Sequence, residues 1–291
     1  MKAPEDRHPL VDSLAQLWRN KTAVAGLCII CAFVACGLFA PLLSPHDPVA
    51  TALYEQLKPP AWAEGGSRQN LLGTDDLGRD ILSRILHGAR VSLLVAVVSV
   101  GLAFLAGTLI GSVAGYCKGR LDNLVMRGID IVLSFPYILL AIVVVAYLGP
   151  SLQNAMLAIA VTYVPRFARI VRGSVLEESE KDYVTAARAL GAGGARILFR
   201  AILPNCMGPL IVQTTLSFAS AILDAAALSF LGLGAQPPTP EWGADIARSR
   251  ALILRASWVM TFPGIAILLA VLGFNLLGDG LRDALDPRLR D

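Results

Sequence analysis

The chain has 291 residues, of which 55% are hydrophobic and only 16% charged, with a mean hydropathy of +0.61. Soluble domains carry about a quarter of their residues as Asp, Glu, Lys and Arg, so this balance excludes an ordinary soluble enzyme and describes one all-α polytopic membrane domain. The net charge of +3 is small, and its Lys and Arg residues lie at the edges of apolar runs, which excludes a nucleic-acid surface as well.

Residues 1–21 read as a cytoplasmic N-terminal amphipathic segment. Leu10, Val11, Leu14, Leu17 and Trp18 share one helical face, with Asp12, Ser13, Gln16 and Arg19 opposite, the pattern of a helix lying at a headgroup interface. From residue 22 to the end the chain reads as a transmembrane domain. Crossing a bilayer takes about 20 apolar residues. Six runs meet that need, at about 22–43, 91–116, 124–148, 152–171, 206–231 and 258–277. The first reads as an uncleaved anchor, because no small-residue cleavage site follows it. Its Cys28, Cys31 and Cys36, with Cys117 and Cys206 further on, lack metal-ligand spacing and read as small apolar filler.

Between the first two spans lies a long outer loop, residues 44–90. Its first half is broken by prolines. Its second half, GTDDLGRDILSRILHG, is predicted as a helix capped by Thr74 and ended by Gly88. There Asp75 and Asp76 would sit in the first turn, and Asp80 would pair with Arg84 one turn on. The second span carries Gly107, Gly111 and Gly115, a row of small residues that admits a second helix closely, either of this chain or of a second subunit. Pro136, Pro165, Pro209 and Pro263 fall within predicted spans, where kinks suit a cavity. Asp130 lies near the inner end of the third span, where it is expected to pair with Arg127. Asp224 lies deep in the fifth, where a carboxylate must face protein or water. It is a candidate for the transport path, meeting a cationic group of the solute, or else a structural residue bonded to Ser220. The second outer loop, 232–257, holds a predicted short helix capped at Thr239 and reaching about Leu254.

Lys and Arg fall roughly two to one on the side that holds both termini, which places the termini in the cytoplasm. The loop 172–205 is then cytoplasmic. In it, Ser179–Asp182 reads as a capping box opening a helix, and Gly191 can take the left-handed conformation that ends one. A second helix is predicted over Ala195–Leu203, stopped by Pro204. Two short helices at an angle make a knob that can seat in a socket on a soluble partner. Nothing else carries chemistry. A phosphate-binding glycine loop is absent, the three histidines are scattered, and no nucleophile–base pair can be drawn, so no catalytic site and no metal site is expected.

The knob resembles the EAA loop of ATP-binding-cassette importer permeases. Thr185, Ala186 and Ala187, then Gly191 and Ala192, then Leu203 and Pro204 occupy the motif. Thr185 stands where the family has Glu, and Ala201 where it has Ile. Longer strings, Leu71–Leu93, Leu228–Gly243 and the closing GDGLRDALDPRLR, resemble the peptide/nickel permeases, in particular the second permease of dipeptide transporters. The resemblance implies the type I importer permease fold with six transmembrane helices in a bacterial inner membrane. It also implies a second homologous permease subunit, two ATPases that hold the ATP and magnesium this chain does not, and an extracytoplasmic solute-binding protein. Dipeptides or oligopeptides are then the expected solute. Nickel chelates, haem or another small solute would use the same architecture, and an ATPase-independent transporter is the reading from another class.

Overall fold

The computed structural model describes residues 17–285, so the predicted amphipathic helix of residues 10–18 lies almost wholly outside the described residues. The main helices are α1 (Lys21–Leu38), α2 (Ile81–Cys117), α3 (Gly119–Leu133), α4 (Tyr137–Leu148), α5 (Leu152–Glu178), α6 (Asp182–Ala189), α7 (Met207–Phe230), α8 (Trp242–Ser249) and α9 (Trp258–Leu285). Large apolar side chains such as Leu105, Leu109, Val143 and Leu268 are exposed along them, as a surface facing lipid or other subunits requires.

α1 opens at Asn20, whose side-chain oxygen accepts from the N–H groups of Thr22 and Ala23 at 3.0 and 3.3 Å. Two otherwise orphaned donors are thereby satisfied. α1 then lies along α9, with Gly26 and Ala23 against Gly273 and Gly280; a Cβ on Gly26 would come within 2.7 Å of the Gly273 carbonyl oxygen.

α2 departs from the sequence expectation at both ends. It starts at Ile81, not Thr74, with Asp80 as its cap accepting from the Ser83 N–H at 2.8 Å. Residues 74–80 instead form a tight turn in which the Asp75 carboxylate accepts from the N–H groups of Leu77 and Arg79, both at 2.9 Å. Short carboxylate side chains compete in this way with the helical ladder. Nor does Gly88 end the helix. It lies inside α2, where the missing side chain makes room for the indole of Trp242. α2 therefore runs 37 residues, about 55 Å at 1.5 Å per residue.

The small-residue row of α2 is occupied by this chain, not by a second subunit. Gly107, Gly111 and Gly115 face Val164, Phe167, Ala168, Val171, Arg172 and Val175 of α5. The bulky residues Phe167, Val171 and Val175 repeat at the same four-residue interval, so a ridge on α5 fills the groove on α2.

The third predicted span is broken. α3 and α4 meet at 88° across Ser134–Pro136. Pro136 has no N–H to continue the ladder, and its ring pushes Phe135 out of helical geometry; α4 then restarts directly behind it. α1, α2, α9 and the run Gly194–Phe230 are each long and apolar enough to cross a membrane, and the bent pair makes a fifth crossing if counted as one. α5, predicted as a span, has the length but is more polar than these, because Gln153, Asn154, Arg166 and Arg169 interrupt it. Six strongly apolar spans are thus not what the helices show; the central one, walled by its neighbours, tolerates polar residues.

In the second predicted outer loop, α8 is capped by Glu241, not Thr239. Its carboxylate accepts from the N–H groups of Gly243 and Ala244 at 2.9 and 2.8 Å, and the helix ends at Ser249 before a 3-10 turn, Arg250–Leu252.

Candidate functional site

The knob joins the C-terminal end of α5 to the N-terminal end of α7. Its expected capping box does not form. Ser179 donates to the Leu176 carbonyl at 2.8 Å, closing α5, and α6 starts after Lys181 without a side-chain cap. The other end of α6 is as the sequence implies. Gly191 has φ +79°, its N–H donates to the Arg188 carbonyl at 3.0 Å, and the Ala192 N–H donates to the Ala187 carbonyl at 3.1 Å. These are the two bonds of a Schellman motif, with Gly191 at the left-handed position. Ala187 and Ala192, the pair that such a motif brings into contact, both pack on the hydrophobic core.

Beyond Gly193 the expected helix 195–203 is replaced by three joined segments. They are a single turn Gly194–Arg196, a π-helix Ile197–Ile202 and a 3-10 turn Leu203–Cys206 that leads into α7. Pro204 does not stop the chain. It lies in the first turn of the 3-10 segment, where its absent N–H is not needed, and the wider π turn before it relieves the clash of its ring.

Buried residues fix the knob to the membrane domain. Val184 and Ile202 are fully buried, and Ile197 and Leu198 nearly so, in one core with Val171 and Val175. A Lys118–Glu180 ion pair joins the C-terminal end of α2 to its base. Tyr183 Oη donates to Glu178 at 2.7 Å. The outward face carries exposed Thr185, Ala186 and Pro204, and Leu190 at its tip is 88% exposed. Leu203 is half-buried behind them. Nearby, Arg172 grips Asp122 with two donors at 2.5 and 2.6 Å, tying α5 to α3. This hydrogen bonding holds the Asp122 carboxyl below its ordinary range, outweighing the effect of burial.

Asp224 is turned into the protein, 8% exposed. Its partner is not Ser220, which donates to the Leu216 carbonyl, but Tyr163 of α5, whose hydroxyl donates to Asp224 Oδ2 at 2.7 Å. Asp130 likewise pairs with Arg169 of α5 at 2.6 Å and not with Arg127. The charged residue that reaches open space at this level is Arg166. Its guanidinium carbon lies 5.3 Å from the Tyr163 ring centre and 5.6 Å from that of Tyr137. Sequence reasoning passed over Arg166 because it counted it among the cytoplasmic cations. The aromatic pair at the break and at Tyr163 was its only signal.

Arg84 of α2 bonds Asp245 of α8, with its Nε at 3.0 Å, and donates to the Pro48 carbonyl at 2.9 Å. Both side chains are buried, at 3% and 9% exposure. Burial pushes the Asp245 carboxyl up, and Arg84 pulls against it. Asp80, the expected partner of Arg84, is taken by Asn70 and Ser83.

Residues 107–291 match the family described as the inner membrane component of binding-protein-dependent transport systems. Residues 8–60 match the N-terminal TM domain of oligopeptide transport permease C. The chain is 53% identical over 283 residues to the di/tripeptide transport system permease protein DppC of Pseudomonas aeruginosa (strain UCBPP-PA14), covering 97% of this chain and 93% of that one. It is 51% identical over 290 residues to the dipeptide transport system permease protein DppC of Escherichia coli (strain K12), covering 100% and 97%. Among solved structures, a chain of the MetNI methionine ABC transporter in an inward-facing conformation aligns with a TM-score of 0.59 at 21% identity, over 70% of this chain and 96% of that chain. At that identity the likeness concerns the fold alone.

Proposed function

The chain belongs to the binding-protein-dependent transport inner membrane component family, and from that premise we propose that it is one permease half of an ATP-driven importer of dipeptides and short oligopeptides. The single observation that carries this reading is the near-full-length identity, about one residue in two, to permeases named for dipeptide transport. The knob agrees with it. A knob whose helix is closed by a Schellman motif and whose tip exposes Leu190 suits a surface that receives work from another protein.

In this reading a second, homologous permease completes the path, two ATPases bind the nucleotide and its magnesium, and a solute-binding protein delivers the peptide from outside. No catalytic step is assigned to this chain. Both termini and the loop 172–205 face the cytoplasm, while residues 44–90 and 232–257 lie outside. ATP binding closes the ATPase pair and carries the knob with it, and the chain shifts between inward-open and outward-open states that the ATPases favour unequally. Thr185, Ala186, Ala187, Gly191, Ala192, Leu203 and Pro204 form the coupling element. The bond from Tyr163 to Asp224 supports a positioning role for Asp224, which holds Tyr163 in place at the wall of the path.

The test is uptake of a labelled dipeptide by cells lacking this chain, with and without the chain restored. Uptake that returns with the chain and vanishes on ATP depletion is expected. Absence of any difference, with the chain still isolated together with ATPases, would overturn the peptide assignment and leave metal chelates or haem as the solute.

A further inference from the structure

The break between α3 and α4 opens a cleft of about 210 Å³ lined by Leu133, Phe135, Pro136, Tyr137, Thr162 and Arg166, among others. Its wall is apolar and aromatic, and Arg166 supplies its one charge. Arg166 lies 14 residues into α5, about 21 Å from the outer end of that helix and so near the middle of the membrane. A guanidinium at that depth is expensive unless it faces protein or water and finds a partner. Arg169 and Arg172, the next cations along α5, have theirs, in Asp130 and Asp122. Among the described residues Arg166 makes no ion pair; it rests on the faces of Tyr137 and Tyr163. Those contacts hold the guanidinium between two rings, near enough to Asp224 to feel its charge, and among the described residues none of its N–H groups makes a hydrogen bond. Tyr163 is itself fixed by its bond to Asp224, so the nearest acid serves the ring that carries the cation.

We infer that Arg166 is a solute-binding residue, its N–H groups taking the terminal carboxylate of the peptide while the Phe135–Leu140 wall of the cleft takes an apolar side chain. The planar guanidinium matches a carboxylate edge to edge. Tyr137, on the far side of the break, lets the cleft change shape when α3 and α4 move relative to each other. This assignment rests on the peptide-importer reading.

The test uses the whole transporter, with partner permease, ATPases and binding protein, reconstituted in proteoliposomes. The probes are labelled dialanine and its C-terminal amide, each rate normalised to separately measured loading of the binding protein. Wild type should carry the acid faster than the amide. Arg166→Gln should slow the acid at least tenfold and leave the amide within twofold. Arg166→Lys, which keeps the charge but loses the planar fork, should recover part of the acid rate. Equal slowing of acid and amide would assign Arg166 to structure or to a subunit contact, and an unchanged acid rate would remove it from the path; either overturns the inference. A wild-type transporter that carries neither probe would instead refute the peptide reading on which the inference stands.

Discussion

Replacing Gly191 by Val tests whether the knob works through the shape of its backbone. Gly191 sits at φ +79°, and among the described residues no atom lies within 4 Å of a Cβ built on it. Steric collision is therefore not at issue. What remains is the left-handed conformation, which costs an L-residue about 1–2 kcal/mol and is least tolerable for a β-branched one. The alternative is to give up the conformation and with it the two bonds to the Arg188 and Ala187 carbonyls, at about 0.5–1.5 kcal/mol each. The chain takes the cheaper route, so the capped knob loses about 1–2 kcal/mol, a factor of roughly 5–30 in its population. Val184, Ile197, Leu198 and Ile202 stay buried, so insertion and folding should be intact. The assay is peptide taken up per ATP hydrolysed in proteoliposomes. Gly191→Asn, which tolerates the conformation, should couple nearly as well as wild type; Gly191→Ala should be weaker and Gly191→Val weakest. A Val variant that couples normally would refute the reasoning. So would Asn and Val variants that fail equally, because the defect would then lie in the added side chain at the ATPase surface.

Gly107→Ala should lower the melting temperature in detergent, because its Cβ would press on Phe167 and within 2.9 Å of the Val164 carbonyl oxygen. Gly101→Ala on the same helix, with open space around it, should be neutral or stabilising by up to about 1 kcal/mol; equal behaviour of the two would undo the account of α2 against α5. Truncating Arg84 to Ala leaves Asp245 buried and unpaired, a loss of about 3–5 kcal/mol. The double change Arg84→Met with Asp245→Leu should recover much of the melting temperature, whereas a single variant as stable as wild type would show that the pair is not buried as described. Because the Asp122 carboxyl is held below its ordinary range, its pairing stabilises the fold at every pH above that range and is lost only as pH falls through the lowered value. The stability gap between wild type and Asp122→Asn should thus be constant from pH 8 down to about 5 and close only below about 4, near the unperturbed carboxylate value; a gap that closes near neutrality would contradict the assigned cause.

The spans α1, α7 and α9 and the Gly191 cap were legible in the sequence because hydropathy and left-handed glycines are local signals. The expected polar pairs were local as well, and that is why they failed. Sequence spacing offered Arg84 to Asp80, Arg127 to Asp130 and Ser220 to Asp224, all within one turn. In the fold each of Arg84, Asp130 and Asp224 reaches another helix instead, to Asp245, Arg169 and Tyr163, across 161, 39 and 61 residues of sequence. A side chain in a membrane domain bonds across helices because its own helix has already consumed the nearby backbone groups. The glycines misled in the same way. Gly88 reads as a terminator, yet its partner is Trp242, at the start of α8 far along the chain, and no period in the sequence announces that. The break at Pro136 was foreseen as a kink and turned out to be a right-angled corner.

The second arm of the knob is joined to α7 with no non-helical residue between them. From Gly194 the helical run continues without interruption to Phe230, about 55 Å of connected backbone, with Asp224 near its far end. In the proposed orientation such a run would behave as a lever with its handle in the cytoplasm and its working end near the outer surface. The π and 3-10 segments at Ile197–Cys206 are its one compliant section, next to the handle. If the knob is moved as proposed, part of the stroke would be absorbed there as local rewinding, and what passes beyond Met207 would reach the far end as tilt and rotation of the whole shaft, where Asp224 holds Tyr163.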